Sequence, residues 1–94
     1  EGNPSVGIEK IADKQITFNI SPNPSIENQQ MTVELVEDLK NATIVIIDLK
    51  GSVVSEQKIT SKKIVLVSLK QGVYICSIKR EDEILGSKKL VITK

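Results

Sequence analysis

Histidine and tryptophan are absent from this 94-residue chain, and cysteine, methionine, phenylalanine and tyrosine each occur once. Histidine is the usual general base and the commonest metal ligand. Without it, neither a Ser-His-Asp nor a Cys-His arrangement can form within the chain. The single Cys76 can close no internal disulfide and build no thiolate metal cluster. We therefore expect a protein that is not an enzyme and that needs no metal or cofactor.

An excess of one charge and a long apolar run are missing as well. The 13 basic and 12 acidic residues leave a net charge of +1. This balance does not predict the basic surface that binding of nucleic acid needs. No apolar run approaches the roughly 20 residues that span a bilayer. No signal peptide opens the chain, which predicts either a cytosolic protein or a fragment of a longer precursor.

Isoleucine, valine and leucine dominate the apolar residues, and β-branched side chains fit strands better than helices. From residue 16 onwards, apolar and polar residues alternate in short runs separated by turn formers, as in half-buried strands. About seven such strands, at the spacing typical of β-sandwiches, predict an all-β, immunoglobulin-like antiparallel sandwich over residues 16–94. Residues 1–15 predict a linker from a preceding domain. The predicted strands cover 16–20, 31–35, 42–49, 53–59, 64–67, 73–79 and 84–93.

The strongest predicted strand, 42–49, is apolar on both of its faces through Ile44, Val45, Ile46 and Ile47. One interpretation is a central strand that is covered on both sides. The other is an apolar stripe that stays exposed for a partner. The sequence leaves both open.

Pro22, Asn23 and Pro24 end the first predicted strand, because two prolines remove ladder donors and fix the backbone. The favoured interpretation is a rigid corner between strands. A corner of this kind could also be read by a partner.

Several single residues have simple structural interpretations. Gly51 and Gly72 are predicted to be turn glycines that tolerate positive φ, and Asp48 is predicted to hydrogen-bond the turn that Gly51 completes. Tyr74 is predicted to pack inward and send its hydroxyl to the backbone, as in a tyrosine corner. Cys76 lies on the same face and is predicted to be a buried, inert thiol.

The last strand is the best candidate for recognition by another protein. A terminal strand at a sheet edge offers unpaired backbone groups, to which a receptor could add a strand, or it could capture the chain end. The competing interpretation is that its lysines only guard the edge against aggregation. A terminal edge strand also allows a homodimer by strand exchange. The candidate residues are Lys88, Lys89, Leu90, Val91, Ile92, Thr93 and Lys94.

Four fragments of the chain together resemble one known family. They are 18–24, ending in Pro-Asn-Pro; 44–51, ending in Asp-x-x-Gly; the spaced set Ile64, Leu66, Leu69, Gly72, Val73 and Tyr74; and 89–94, from Lys to Lys. In this order, over residues 16–94, the fragments are similar to the C-terminal sorting domain of the bacterial type IX (Por) secretion system. Departures from the family pattern are Ser21, Ser52, Val65 and Val67.

That resemblance implies a function and a set of partners. Such domains end cargo proteins of Bacteroidetes-type bacteria, whose separate N-terminal signal directs export to the periplasm. The sorting domain is then recognised by the outer-membrane translocon and its shuttle proteins. A sortase-like peptidase commonly removes it, which leaves the cargo at the cell surface.

Two other functions compete with a sorting signal. An adhesion or carbohydrate-binding sandwich would need exposed aromatic residues or clustered carboxylates for Ca²⁺, yet Phe18 and Tyr74 both lie on core-like alternations. A stand-alone enzyme would need catalytic groups that the composition does not offer, and no Gly-rich phosphate loop is present.

Overall fold

The computed structural model describes residues 10–11 and 15–94, and in these residues the chain forms nine strands and no helix. Seven strands have four or more residues, which confirms the prediction of about seven; β1 and β3, with two residues each, were not predicted. The strands are β1 Lys10–Ile11, β2 Phe18–Ser21, β3 Ser25–Ile26, β4 Met31–Leu35, β5 Thr43–Asp48, β6 Val53–Lys58, β7 Lys63–Leu66, β8 Gly72–Arg80 and β9 Glu83–Thr93.

The strands form two sheets that pack face to face. The larger sheet has the order β1-β9-β8-β5-β6, with β3 also paired to β9, and the smaller sheet has the order β2-β4-β7. The prediction of an all-β sandwich is therefore confirmed. The long ladders are antiparallel, whereas β1 and β3 each pair with β9 in parallel.

The core lies between the sheets and follows the alternation in the sequence. Phe18 and Ile20 of β2 face Ile44 and Ile46 of β5 and their neighbours, while the intervening side chains point outward. Tyr74, Cys76 and Ile78 of β8 are all buried, as their spacing predicted. Because aliphatic side chains fill most of this core, its stability comes from burying many medium-sized groups rather than a few large aromatics. The core residues with at most 1% exposure are Phe18, Met31, Val33, Ala42, Ile44, Ile46, Cys76, Ile78 and Leu90.

Strand β5 is a central strand, as the first interpretation predicted, but only one of its faces points into the core between the sheets. β5 lies between β8 and β6, so it is central in its sheet. Ile44 and Ile46 point into the core, whereas Val45 and Ile47 lie on the opposite face. On that face Val45 is buried among its neighbours, Ile47 and Ile75 are half-buried, and the described part of the chain supplies no third layer.

Two side-chain amides close the gaps between the sheets. On one side, Gln57 of β6 donates to the carbonyl of Val65 at 2.9 Å and accepts from the N–H of Val67 at 3.2 Å. The first backbone group lies on the outer edge of β7 and the second directly follows this strand, and a single side chain pairs with both. On the opposite side Asn23 does the same for β9.

The predicted linker lies mostly outside the described residues. Within it, Lys10 and Ile11 pair with Glu83 and Ile84 at the start of β9. The N–H of Ile16 then donates to the carbonyl of Leu85 at 2.8 Å. The chain therefore reaches the sandwich beside the 80–83 turn.

Gly86 is required by close packing that the sequence did not reveal. It follows a bulge in β9, where the register with β8 shifts by one residue. A Cβ at this position would lie 3.1 Å from the carbonyl oxygen of Ile16 and 3.2 Å from Cε1 of Phe18. The backbone of Ile16 is held by its bond to Leu85, so it cannot move away freely.

We expect Gly86→Ala to destabilise the domain by about 1–3 kcal/mol, the usual cost of forcing a methyl group into a packed site. Chemical denaturation of the two proteins measures the difference. Lys89→Ala, at an exposed position of the same strand, is the control and should change stability by less than about 0.5 kcal/mol. An unchanged Gly86→Ala protein would contradict the packing described above.

Candidate functional site

The candidate recognition strand, β9, does not lie at an open sheet edge. One edge pairs with β8 from Glu83 to Ile92. The other edge is covered at its start by β1 and Ile16. Towards its end it is covered by residues 23–27, named the clamp from here on, which comprise Asn23, Pro24, β3 and Glu27.

Asn23 provides the first contact of the clamp. Its Nδ2 donates to the carbonyl of Lys89 at 3.0 Å, and its Oδ1 accepts from the N–H of Val91 at 3.2 Å. The side-chain amide thus takes the place of a backbone peptide in a β-ladder. Pro22 and Pro24 fix the backbone on both sides of Asn23, so the proline corner and the terminal strand form one unit.

The rest of the clamp continues this pairing. Ser25 and Ile26 pair in parallel with Ile92 and Thr93, and the N–H of Glu27 donates to the carbonyl of Thr93 at 2.8 Å. The Thr93 hydroxyl donates back to the carbonyl of Ser25 at 3.2 Å. Ser25 is only 2% exposed whereas Thr93 is exposed, so this contact is partly shielded from water.

The seven candidate residues of the last strand therefore have different environments. Leu90 and Ile92 are buried in the core and Val91 is half-buried, whereas Lys88, Lys89, Thr93 and Lys94 are exposed. The ammonium of Lys88 lies 5.9 Å from the centre of the Phe18 ring, within reach of a cation–π interaction. The role of these residues in recognition stays a prediction. Addition of a receptor strand would first have to displace the clamp.

The turn at residues 48–51 is built as predicted. Oδ1 of Asp48 accepts from the N–H groups of Lys50 and Ser52, both at 2.9 Å. The N–H of Gly51 donates to the carbonyl of Asp48 at 3.0 Å, and Gly51 has φ of +90°, a conformation that favours glycine. Gly72 also has positive φ, at +155°. The exposed Leu49 and Lys50 are thus held on a rigid turn.

Tyr74 and Cys76 also occupy their predicted environments. The Tyr74 hydroxyl donates to the carbonyl of Lys70 at 2.8 Å, four residues upstream, as in a tyrosine corner. Cys76 is fully buried, and desolvation raises the pKa of its thiol from 9.0 to about 12. Because the thiolate is the reactive form, this burial keeps Cys76 inert.

The clamp also makes a hydrogen bond through Glu27, which the sequence did not reveal. Oε2 of Glu27 accepts from the N–H of Gln71 at 2.7 Å, so the clamp is tied to the loop that precedes β8. The partners of Asn23 and Glu27 lie 66 to 68 and 44 residues away in the chain. No local pattern in the sequence could have identified them.

Residues 10–11 and 15–94 contain no cluster of three or more His, Cys, Asp or Glu side chains suited to a metal ion. Nor do they contain a helix with the length and apolar character to cross a bilayer.

The fold and the site define a compact β-sandwich module whose terminal strand is held in place by hydrogen bonds from a proline corner. A family model described as a secretion system C-terminal sorting domain matches residues 19–93. The chain belongs to this family of type IX sorting domains. A search of curated proteins gave no match. The chain is therefore a C-terminal sorting signal that is attached to a cargo protein and recognised by the secretion system, for export to the cell surface or for secretion.

The clamp predicts the effect of removing the Asn23 amide. We expect Asn23→Ala to cost about 1–2 kcal/mol, because two hydrogen bonds to β9 are lost, and to accelerate hydrogen exchange of the Val91 amide. Exchange followed by NMR and thermal unfolding measure both effects. Asn19→Ala, an exposed position on β2, is the control and should leave both unchanged. Unchanged exchange at Val91 in Asn23→Ala would contradict this role of Asn23.

The buried thiol predicts a loss of stability in alkaline solution. Above pH 9 the unfolded chain ionises Cys76, whereas the folded protein keeps the proton until about pH 12. The unfolded state then binds fewer protons, so stability falls as pH rises, by about 1.4 kcal/mol per pH unit within this window. Denaturation at pH 8 to 10.5 measures the slope. Cys76→Ala should give a shallower slope, and an equal slope would contradict the assignment.

Proposed function

We propose that this domain directs its cargo across the outer membrane of a Bacteroidetes-type bacterium, by recognition alone and without chemistry of its own. Its proposed partners are the outer-membrane translocon with its shuttle proteins and a sortase-like peptidase that removes the domain. The single observation that carries the proposal is the family match over residues 19–93. The proposal that the domain has no chemistry of its own is supported by Cys76, whose thiol is buried and has a raised pKa.

The exposed side chains of the terminal strand are the proposed contacts. Lys89 and Lys94 are exposed, and the Asn23 amide holds the backbone carbonyl of Lys89. A receptor would therefore meet Lys89 on a fixed backbone, which lowers the entropy lost on binding. Recognition through side chains fits the covered edge of β9 better than strand addition does.

Three further details belong to the proposal. Cleavage would fall in residues 1–15, the predicted linker, of which Lys10 and Ile11 pair with the start of β9. An immunoglobulin-like relationship is supported by the bond from the Tyr74 hydroxyl to Lys70. A homodimer by strand exchange has weaker support, because β9 would have to leave both β8 and the clamp.

The alternative of a carbohydrate-binding module has no such support. Sugar rings stack on exposed aromatic side chains, but Phe18 and Tyr74 are 1% and 9% exposed. Binding of the isolated domain to a glycan array would favour this alternative.

A fusion experiment tests the proposal. The chain is placed behind a periplasmic reporter in a cell with a working type IX system, and the reporter is measured on the surface of intact cells. We expect the reporter at the surface only when the domain is attached. Removing residues 84–94 is a poor test, since it would also delete the buried Leu90 and Ile92.

Charge reversal is the sharper variant. We expect Lys89→Glu with Lys94→Glu to lower surface reporter by about tenfold or more, the effect of losing interface charges worth about 1.4 kcal/mol. Lys58→Glu with Lys63→Glu, also exposed, carries the same charge change away from β9 and should stay near wild type. A reporter that remains in the periplasm with the native domain would refute the proposed function.

A further inference from the structure

The four fragments that carry the family resemblance meet at one end of the sandwich. Asp48, the last residue of β5, pairs with Tyr74 near the start of β8. Gly72 pairs with Ile92 near the end of β9, and Ser25 of the clamp pairs with Ile92 as well. This end, named the distal end, comprises residues 22–30, 48–52, 67–72 and 93–94.

The chain arrives at the opposite end. Lys10 and Ile11 pair with Glu83 and Ile84, beside the 80–83 turn. β8 has nine residues, so the two ends are separated by roughly 30 Å at about 3.3 Å per residue. The segment that would join a cargo domain ahead of the sandwich therefore enters at the end opposite to the distal end.

Hydrogen bonds hold the segments of the distal end together. Glu27 accepts from Gln71 N–H, the Tyr74 hydroxyl donates to the carbonyl of Lys70, and Asp48 accepts twice within its own turn. Family-motif residues such as Asp48 and Tyr74 thus build a rigid base. Other residues of the same segments are the ones displayed to solvent.

The displayed residues are aliphatic and basic. Leu49 is 73% exposed and Ile26 is 53% exposed, while Lys50, Lys70 and Lys94 are all exposed. The carboxylates of the distal end, Glu27 and Asp48, are engaged by backbone N–H groups. Both carboxylates keep their charge, so three lysines against two carboxylates leave a net side-chain charge of +1 at the distal end, beside exposed aliphatic groups.

We propose that the secretion machinery recognises the distal end. The partner is one of its proteins, with an apolar depression that is surrounded by acidic side chains. The contact residues at this end are Ile26, Leu49, Lys50, Lys70 and Lys94, in addition to the contacts proposed above along the terminal strand. This inference rests on the proposed function and deepens it. The only two aromatic residues of the chain are buried, and aromatics are what membrane interfaces and sugars favour. A protein partner therefore fits this surface better than a lipid or glycan.

The test uses the reporter fusion with matched variants at the two ends. The distal variant combines Leu49→Ser, Lys50→Glu and Lys70→Glu, and it leaves every backbone bond described above in place. The control combines Val36→Ser, Lys40→Glu and Lys62→Glu at the opposite end, where Val36 is 65% exposed and both lysines are exposed. The two variants change the net charge equally, and thermal unfolding establishes that both are folded.

We expect the distal variant to lose about tenfold or more of the surface reporter, as hot-spot removal does, and the control to stay within about twofold, as surface changes outside an interface do. Export by the native domain together with equal export by the distal variant would overturn this inference and leave the proposed function standing. Failure of the native domain itself would refute the proposed function.

Two further measurements test the nature of the partner. The first is sedimentation. If the native chain forms dimers that the distal variant does not form, the proposal of a separate protein partner is overturned. The second is flotation with anionic phospholipid vesicles. If the native chain binds the vesicles and the distal variant does not, the proposal of a protein partner is likewise overturned. A native chain that is monomeric and does not bind vesicles supports the proposal.

Discussion

The edge of strand β9 imposes the constraint on which the rest of the structure depends. A long strand with open N–H and C=O groups would pair with other chains or remain poorly ordered. The domain satisfies these groups with the Asn23 amide and with the short parallel strand β3. Because Leu90 and Ile92 of the same strand are core residues, the clamp and the core fix each other in place.

Two side-chain amides in the described residues pair with the backbone of a strand edge in this way. Gln57 bonds to Val65 of β7 and to Val67 just after it, in the way that Asn23 bonds to Lys89 and Val91 of β9. An amide side chain carries one donor and one acceptor group and can therefore imitate a peptide unit. These two bridges close both sides of a sandwich whose sheets share no strand.

A sorting signal has to be recognisable while it remains attached to many different folded proteins. The topology suits this requirement, because the chain arrives at one end while the motif residues assemble at the other. Rigid turns fix what is displayed there, so little conformational freedom remains to be lost on binding. In the proposed recognition of this end, residues such as Asp48, Gly51 and Tyr74 hold the displayed side chains in place and do not touch the partner.

The sequence determined the all-β class, most strands, the inward face of β8 and the turns at Asp48 and Gly51, because alternation and turn chemistry are local properties of the chain. It also placed Tyr74 and Cys76 correctly. Only the tertiary structure decided that β9 has a covered outer edge, that β5 packs on one face alone, and that Gly86 faces the Ile16 carbonyl. These outcomes depend on pairs such as Asn23 with Val91, which are 68 residues apart. How the sheets pack determines which backbone group the Asn23 side chain meets, and a local pattern in the sequence contains no information about that packing.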